Sequence, residues 1–113
     1  MKGTKPVILA VITALIIKLF VFDFIIADGH SMEPAIEDRT VLIISRLAYK
    51  FRQPQIGEIV VFYTPDGELA VKRCVMVEGD SFYAEGDNSL ASYDSRAYGP
   101  VPLSNIIGKV LGY

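Results

Sequence analysis

Residues 7–26, VILAVITALIIKLFVFDFII, hold 17 apolar residues in 20. Such a segment has three destinations: a cleavable signal peptide, a membrane anchor or a buried helix. Lys2 and Lys5 ahead of the Val7–Ile17 stretch have the charged and apolar order of a signal peptide. Cleavage would then need small residues two apart, but the −3 residue ahead of Ala27 is Ile25. An uncleaved anchor is therefore expected. Pro6 to Phe22 meets the lower limit of about 17 residues for a spanning helix, and Pro6 is tolerated in the first helical turn. Lys18 can snorkel to the far interface. Asp23 at mid-bilayer would cost about 2.5–3.5 kcal/mol, so the span ends before it. Lys2 and Lys5 precede the run, whereas Asp23, Asp28, Glu33, Glu37 and Asp38 follow it. The positive-inside rule then places residues 1–5 in the cytoplasm, the anchor at 6–22, and the domain at 23–113 outside.

Beyond the anchor the pattern changes to period two and short apolar runs, and 113 residues allow one domain. Strands are expected over 40–45, 57–63, 69–77, 82–84, 101–103 and 106–111. The turns Pro65-Asp66-Gly67 and Glu78-Gly79-Asp80 separate three of them. Residues 47–52 fit a helical turn or a strand continuation, and 86–98 reads as a long polar loop without a helix. The expected fold is mostly β, an antiparallel sheet behind one N-terminal transmembrane helix. A net charge of −2 offers no basic field for nucleic acid. The lone Cys74 supplies neither a disulfide nor a metal set and reads as a small core residue. Nothing in the chain calls for a cofactor or a metal.

Chemistry concentrates at Ser31 and Lys72. A serine needs a base before it attacks a carbonyl, and the only histidine, His30, is its immediate neighbour. Neighbours on an extended chain point to opposite faces, so His30 reads as a rim residue. Lys72 can serve as base if burial populates its neutral form. On a strand it shares one face with Ala70, Cys74 and Met76, a lone charge in an apolar row. A serine–lysine dyad is one way to activate such a nucleophile. Taken singly, each residue also has an ordinary reading: Lys72 as an edge-strand charge, Ser31 as a turn serine before Pro34.

Four segments in order change those odds: GHSMEPAI (29–36), IGEIVVF (56–62), AVKRCVMVEGD (70–80) and GDNSLASYDSRAYGPVP (86–102). Together they resemble the type I signal peptidases, or leader peptidases, of bacteria, from about Ile17 to Lys109. The resemblance implies an antiparallel β catalytic domain tethered to the cytoplasmic membrane by a single pass. It also implies a serine endopeptidase that removes signal peptides from exported preproteins after small residues at −1 and −3. Ser31 matches the nucleophile, Lys72 the general base, and Ser92 the serine that orients the lysine. Asp94 and Arg96 match a structural ion pair, with Arg73 as an additional partner. Met32 and Pro34 shape the nucleophile turn. Ala27 and Val71 are expected to line the substrate pockets, between acceptor strands at 24–28 and 69–71. The expected partners are signal peptides and the lipid bilayer, with the chain a monomer.

The chain departs from that family's pattern twice. Only residues 78–90 separate the lysine strand from Ala91-Ser92, so the second β-domain of many relatives is missing. The position two before the nucleophile, often a hydroxyl donor to the oxyanion, is Gly29. Either the oxyanion hole is incomplete, or glycine answers a backbone need for positive φ. Other readings are a dedicated maturation peptidase for one exported substrate, a catalytically weak assembly chaperone of the same fold, and a self-cleaving repressor relative. The last would need a DNA-binding segment where this chain has its apolar run.

Overall fold

The computed structural model describes residues 3–113, with the side chains of residues 18–20 outside that description. Helix α1 covers Thr4–Val21 and passes directly into strand β1, Phe22–Ile26. Its apolar side chains, from Val7 through Leu9 and Val11 to Leu15 and Ile17, are exposed around the helix. Among the described residues, which leave out the side chains at 18–20 inside α1, no helix is long and apolar enough to cross a membrane. Lys2 and the Lys18 side chain, on which the orientation and snorkelling expectations rest, lie outside the described residues.

Six further strands follow: β2 Val41–Ser45, β3 Ile59–Tyr63, β4 Leu69–Glu78, β5 Ser81–Glu85, β6 Val101–Pro102 and β7 Ile106–Gly112. They form one sheet in the order β1-β2-β7-β3-β4-β5-β6, every neighbouring pair antiparallel. The expected mostly antiparallel β architecture is what the chain adopts. Residues 47–52 form turns instead of a strand, with the Lys50 amide donating to the Leu47 carbonyl at 3.1 Å. The polar segment expected to lack helix carries a short one, α2 Ser95–Tyr98, because the Asp94 carboxylate caps it by accepting from the Arg96 amide.

Strand β3 explains the core. Its apolar run IVVF is buried on both faces, as a short uninterrupted apolar run predicts for a central strand. Alternation sends Ile59 and Val61 to one side, where they pack with Leu42, Ile44, Met32 and Ile36. Val60 and Phe62 go to the other, with Cys74, Phe82, Ala84 and Val101. There Phe62 and Phe82 meet edge to face at 5.2 Å between ring centroids. The sheet curls so that β1 and the start of β4, well separated in sheet order, line one cleft.

Candidate active site

Ser31 sits on a loop, residues 27–40, that closes on itself. The Ala27 amide donates to the Thr40 carbonyl at 2.8 Å, and the Arg39 amide returns to the Ala27 carbonyl at 2.7 Å. Met32 and Ile36 are the loop's apolar pegs, both buried against the β3 face. Burying two such side chains stabilises the loop by roughly 1.5–3 kcal/mol each, which sets where Ser31 stands. Gly29 has φ +98°, a conformation that side chains other than glycine's rarely adopt, and its amide donates to Asp38 Oδ1 at 2.8 Å. Of the two accounts of Gly29, the backbone one describes this turn. His30 is exposed on the rim and bonded to Glu33, which raises its pKa, with Asp38 Oδ2 4.0 Å away.

Lys72 comes from the other wall. In β4 it stands opposite Val60, itself fully buried, and is only 7% exposed. Burial depresses its pKa; the Asp94 charge opposes that shift, and Arg96 adds to it. Ala70 and Cys74 share its face as expected, but Met76 does not. A bulge between Cys74 and Met76 inserts one residue, so Val77 takes the inward place and Met76 turns outward.

The segment after β5 locks Ser31 from behind. The Asn88 amide donates to the Ser31 carbonyl at 2.8 Å, and Asn88 Nδ2 to the His30 carbonyl at 3.1 Å. Gly86 lies where the Ser31 carbonyl and the Ser92 side chain converge, so closely that a Cβ there would fall 2.5 Å from Ser31 O and 2.3 Å from Ser92 Oγ. Asp94 is buried and accepts from Ser92 Oγ, the Gly86 amide, the Arg96 amide and the Arg96 guanidinium. Burial alone would push this carboxyl up. The hydrogen bonds from Arg96, Ser92 and the Gly86 amide outweigh it and hold the group well below the usual carboxylate range.

A cleft of ≈ 410 Å³ gathers Ser31, Lys72, Ala27 and Val71, four residues singled out in the sequence. Thr64, Glu68 and Tyr93 also line it; the first two lie outside the four segments, and Tyr93 lies in the last of them without a role read for it. Two expectations need correction. Arg73 does not join the Asp94–Arg96 pair: it grips Asp87 through Nε and Nη2 at 2.9 and 2.8 Å, and donates to the Gly57 carbonyl at 2.8 Å. Ser92 donates its hydroxyl to Asp94, and among the described residues no hydrogen bond joins it to Lys72. Gly86 and Asn88, which hold the Ser31 turn, escape a reading of side-chain chemistry because they act on the backbone, although GDN is legible as part of a block.

Comparison with known proteins matches a family model described as "Signal peptidase, peptidase S26" over residues 2–85 and 76–112. The two stretches meet at the β4–β5 hairpin. The chain is 28% identical over 157 positions to Signal peptidase I of Leptolyngbya laminosa, covering 98% of this chain and 77% of the relative. It is 32% identical over 113 positions to Mitochondrial inner membrane protease subunit 1 of Xenopus tropicalis, covering 80% and 68%. It is 32% identical over 126 positions to Probable signal peptidase I-2 of a Synechocystis strain, covering 96% and 58%. The first of these alignments is longer than this chain, so the relative carries residues that this chain lacks.

Proposed function

The chain belongs to the signal peptidase family, peptidase S26, and is a serine endopeptidase; we propose that it removes signal peptides from exported proteins with Ser31 as nucleophile and Lys72 as base. The observation that carries this reading is one cleft holding a turn-borne serine and a buried lysine whose pKa burial lowers. Neutral Lys72 takes the Ser31 hydroxyl proton as Oγ bonds to the substrate carbonyl carbon. It then passes that proton to the departing amine, and water repeats the cycle on the acyl-enzyme. Ser92 gives its hydroxyl hydrogen to Asp94 and is held there, on the segment that backs the Ser31 turn. The Ser31 amide has no hydrogen-bond partner among the described residues and is suited to donate to the oxyanion. Gly29 cannot share that task through its own amide, which Asp38 occupies.

Substrate lies in the cleft as an added strand. Among the described residues, strand β1 pairs only with β2, and residues 69–72 of β4 pair only with β3, so each offers a free edge to the cleft. The small Ala27 and Val71 border it, which favours small side chains at −1 and −3. Helix α1 serves as the anchor, with the sheet outside the cytoplasmic membrane. Support comes from its exposed apolar surface and from Phe24, Ile26, Val41 and Ile43, which extend that surface onto β1 and β2. At about 1.5 Å per residue its 18 residues extend about 27 Å, against a hydrocarbon core of roughly 30 Å.

The test is incubation of the detergent-solubilised chain with a preprotein carrying an Ala-X-Ala site. Cleavage after the second alanine by wild type and not by Ser31→Ala is expected. Equal cleavage by Ser31→Ala, or equal cleavage when the −1 alanine becomes leucine, would overturn the assignment.

A further inference from the structure

We propose that the loop at residues 46–56, RLAYKFRQPQI, is a second membrane contact that takes an anionic phospholipid headgroup where α1 leaves the bilayer. This rests on the reading of α1 as an anchor. The loop begins at the helix end: the Arg46 amide donates to the Val21 carbonyl at 2.7 Å, and the Arg46 guanidinium pairs with Asp23 just beyond α1. Whatever plane the lipid surface takes at Val21, the loop starts beside it.

A separate cleft of ≈ 360 Å³ is lined by the loop's Arg46, Tyr49, Lys50 and Arg52 together with the apolar Ile106 and Ile107. Cations outnumber carboxylates here. Arg46 is matched by Asp23, Arg52 and Lys109 share the single carboxylate of Glu58, and Lys50 has no ion-pair partner among the described residues. The chain as a whole is acidic, with net charge −2, so this local excess of positive charge runs against its overall balance. Beside the cations stand apolar side chains that the described residues leave largely uncovered: Phe51 is 83% exposed and Ile56 75%, with Leu47 partly exposed. An aromatic ring flanked by Lys50 and Arg52 is the composition of an interfacial anchor: the ring enters the headgroup layer while the cations stay with the phosphates. A second protein would have to bury Phe51 and neutralise Lys50 beside a bilayer already in reach. The lipid satisfies both with no further component.

The chain contains no tryptophan, so Phe51→Trp supplies a single reporter. The full chain carrying it is reconstituted into vesicles of phosphatidylcholine alone, or of phosphatidylcholine mixed with an equal amount of phosphatidylglycerol, with brominated acyl chains as quencher. Flotation and circular dichroism report anchoring and folding. Each cation near an anionic surface strengthens association roughly fivefold. The expected result is that the chain floats with both vesicles, while the indole emission shifts to the blue and is quenched severalfold more in the anionic ones. Adding Lys50→Glu, at an exposed turn position, should remove most of that difference and leave flotation unchanged. A floating chain whose reporter is unquenched in both vesicles overturns the loop contact and leaves the anchor standing. Equal quenching in both overturns the preference for anionic lipid. A folded chain that floats with neither refutes the anchor itself and the inference built on it.

Discussion

Gly86→Ala should slow the enzyme while the fold survives, and the reason can be worked from two contacts. An added Cβ would lie 2.5 Å from the Ser31 carbonyl oxygen and 2.3 Å from Ser92 Oγ, where real Cβ contacts stay above 3.0 Å. The Ser31 backbone must therefore retreat by about 0.5 Å, the gap between 2.5 and 3.0 Å, and Ser92 by somewhat more. Neither neighbour yields easily. The Ser31 carbonyl is held by the Asn88 amide, and Ser92 Oγ by the buried Asp94. Overpacking of this kind costs about 1–3 kcal/mol, a fall in melting temperature of roughly 4–8 °C for each kcal/mol in a domain of this size. Catalysis suffers as well: displacing a reacting group by about 1 Å costs on the order of a hundredfold, or about 2.7 kcal/mol in the barrier, so a retreat of about half that distance should cost roughly tenfold. The assay is kcat/KM on a preprotein substrate beside a thermal melt. The loss should fall on kcat, since Ala27 and Val71 in the substrate groove are untouched. Adding Ser92→Ala removes the 2.3 Å contact but not the carbonyl clash, so it should not restore activity. A folded Gly86→Ala enzyme with wild-type kcat/KM would refute the proposed coupling between this glycine and the nucleophile.

Lys72→Arg should be inactive at every pH, because a guanidinium stays protonated and cannot accept the serine proton; turnover near wild type would remove the lysine from the mechanism. Wild-type kcat/KM should rise with pH through the depressed lysine pKa and not near 10.5, its ordinary value. The same burial makes Lys72→Met stabilising. The wild type's handicap is full below the folded-state pKa, where the folded chain must carry a buried charge, and fades as pH rises from there to 10.5. Melts of both proteins across pH check this, and an advantage that grows with pH would contradict it. Gly29→Ser should lower activity, since a side chain at φ +98° is strained by about 1–3 kcal/mol; a faster enzyme would mean the turn relaxes and a hydroxyl donor was wanted.

What can be read from residues alone divides by the range of the interaction concerned. Strand positions and the central burial of β3 follow from local apolar pattern, and the observed strands lie within a residue or two of those expected. That Ser31 and Lys72 line one cleft is not a local matter. Spacing alone favours an exposed edge for the lysine, and only the ordered blocks around it, compared with a known family, favour burial. Where side chains act on backbone, even the blocks fall short. The motif suggests Arg73 as a partner of Asp94, since both lie with Arg96 in the matching blocks, yet its guanidinium reaches Asp87, whose approach depends on the β4–β5 register. That register contains a bulge invisible in AVKRCVMV, where strict alternation predicts Met76 inward and the inserted residue delivers Val77 instead. Gly86 makes the same point most directly. Its lack of a side chain is a requirement set by a carbonyl fifty-five positions earlier and a hydroxyl six positions later, and a glycine's neighbours in space are the one property its own residue type cannot express.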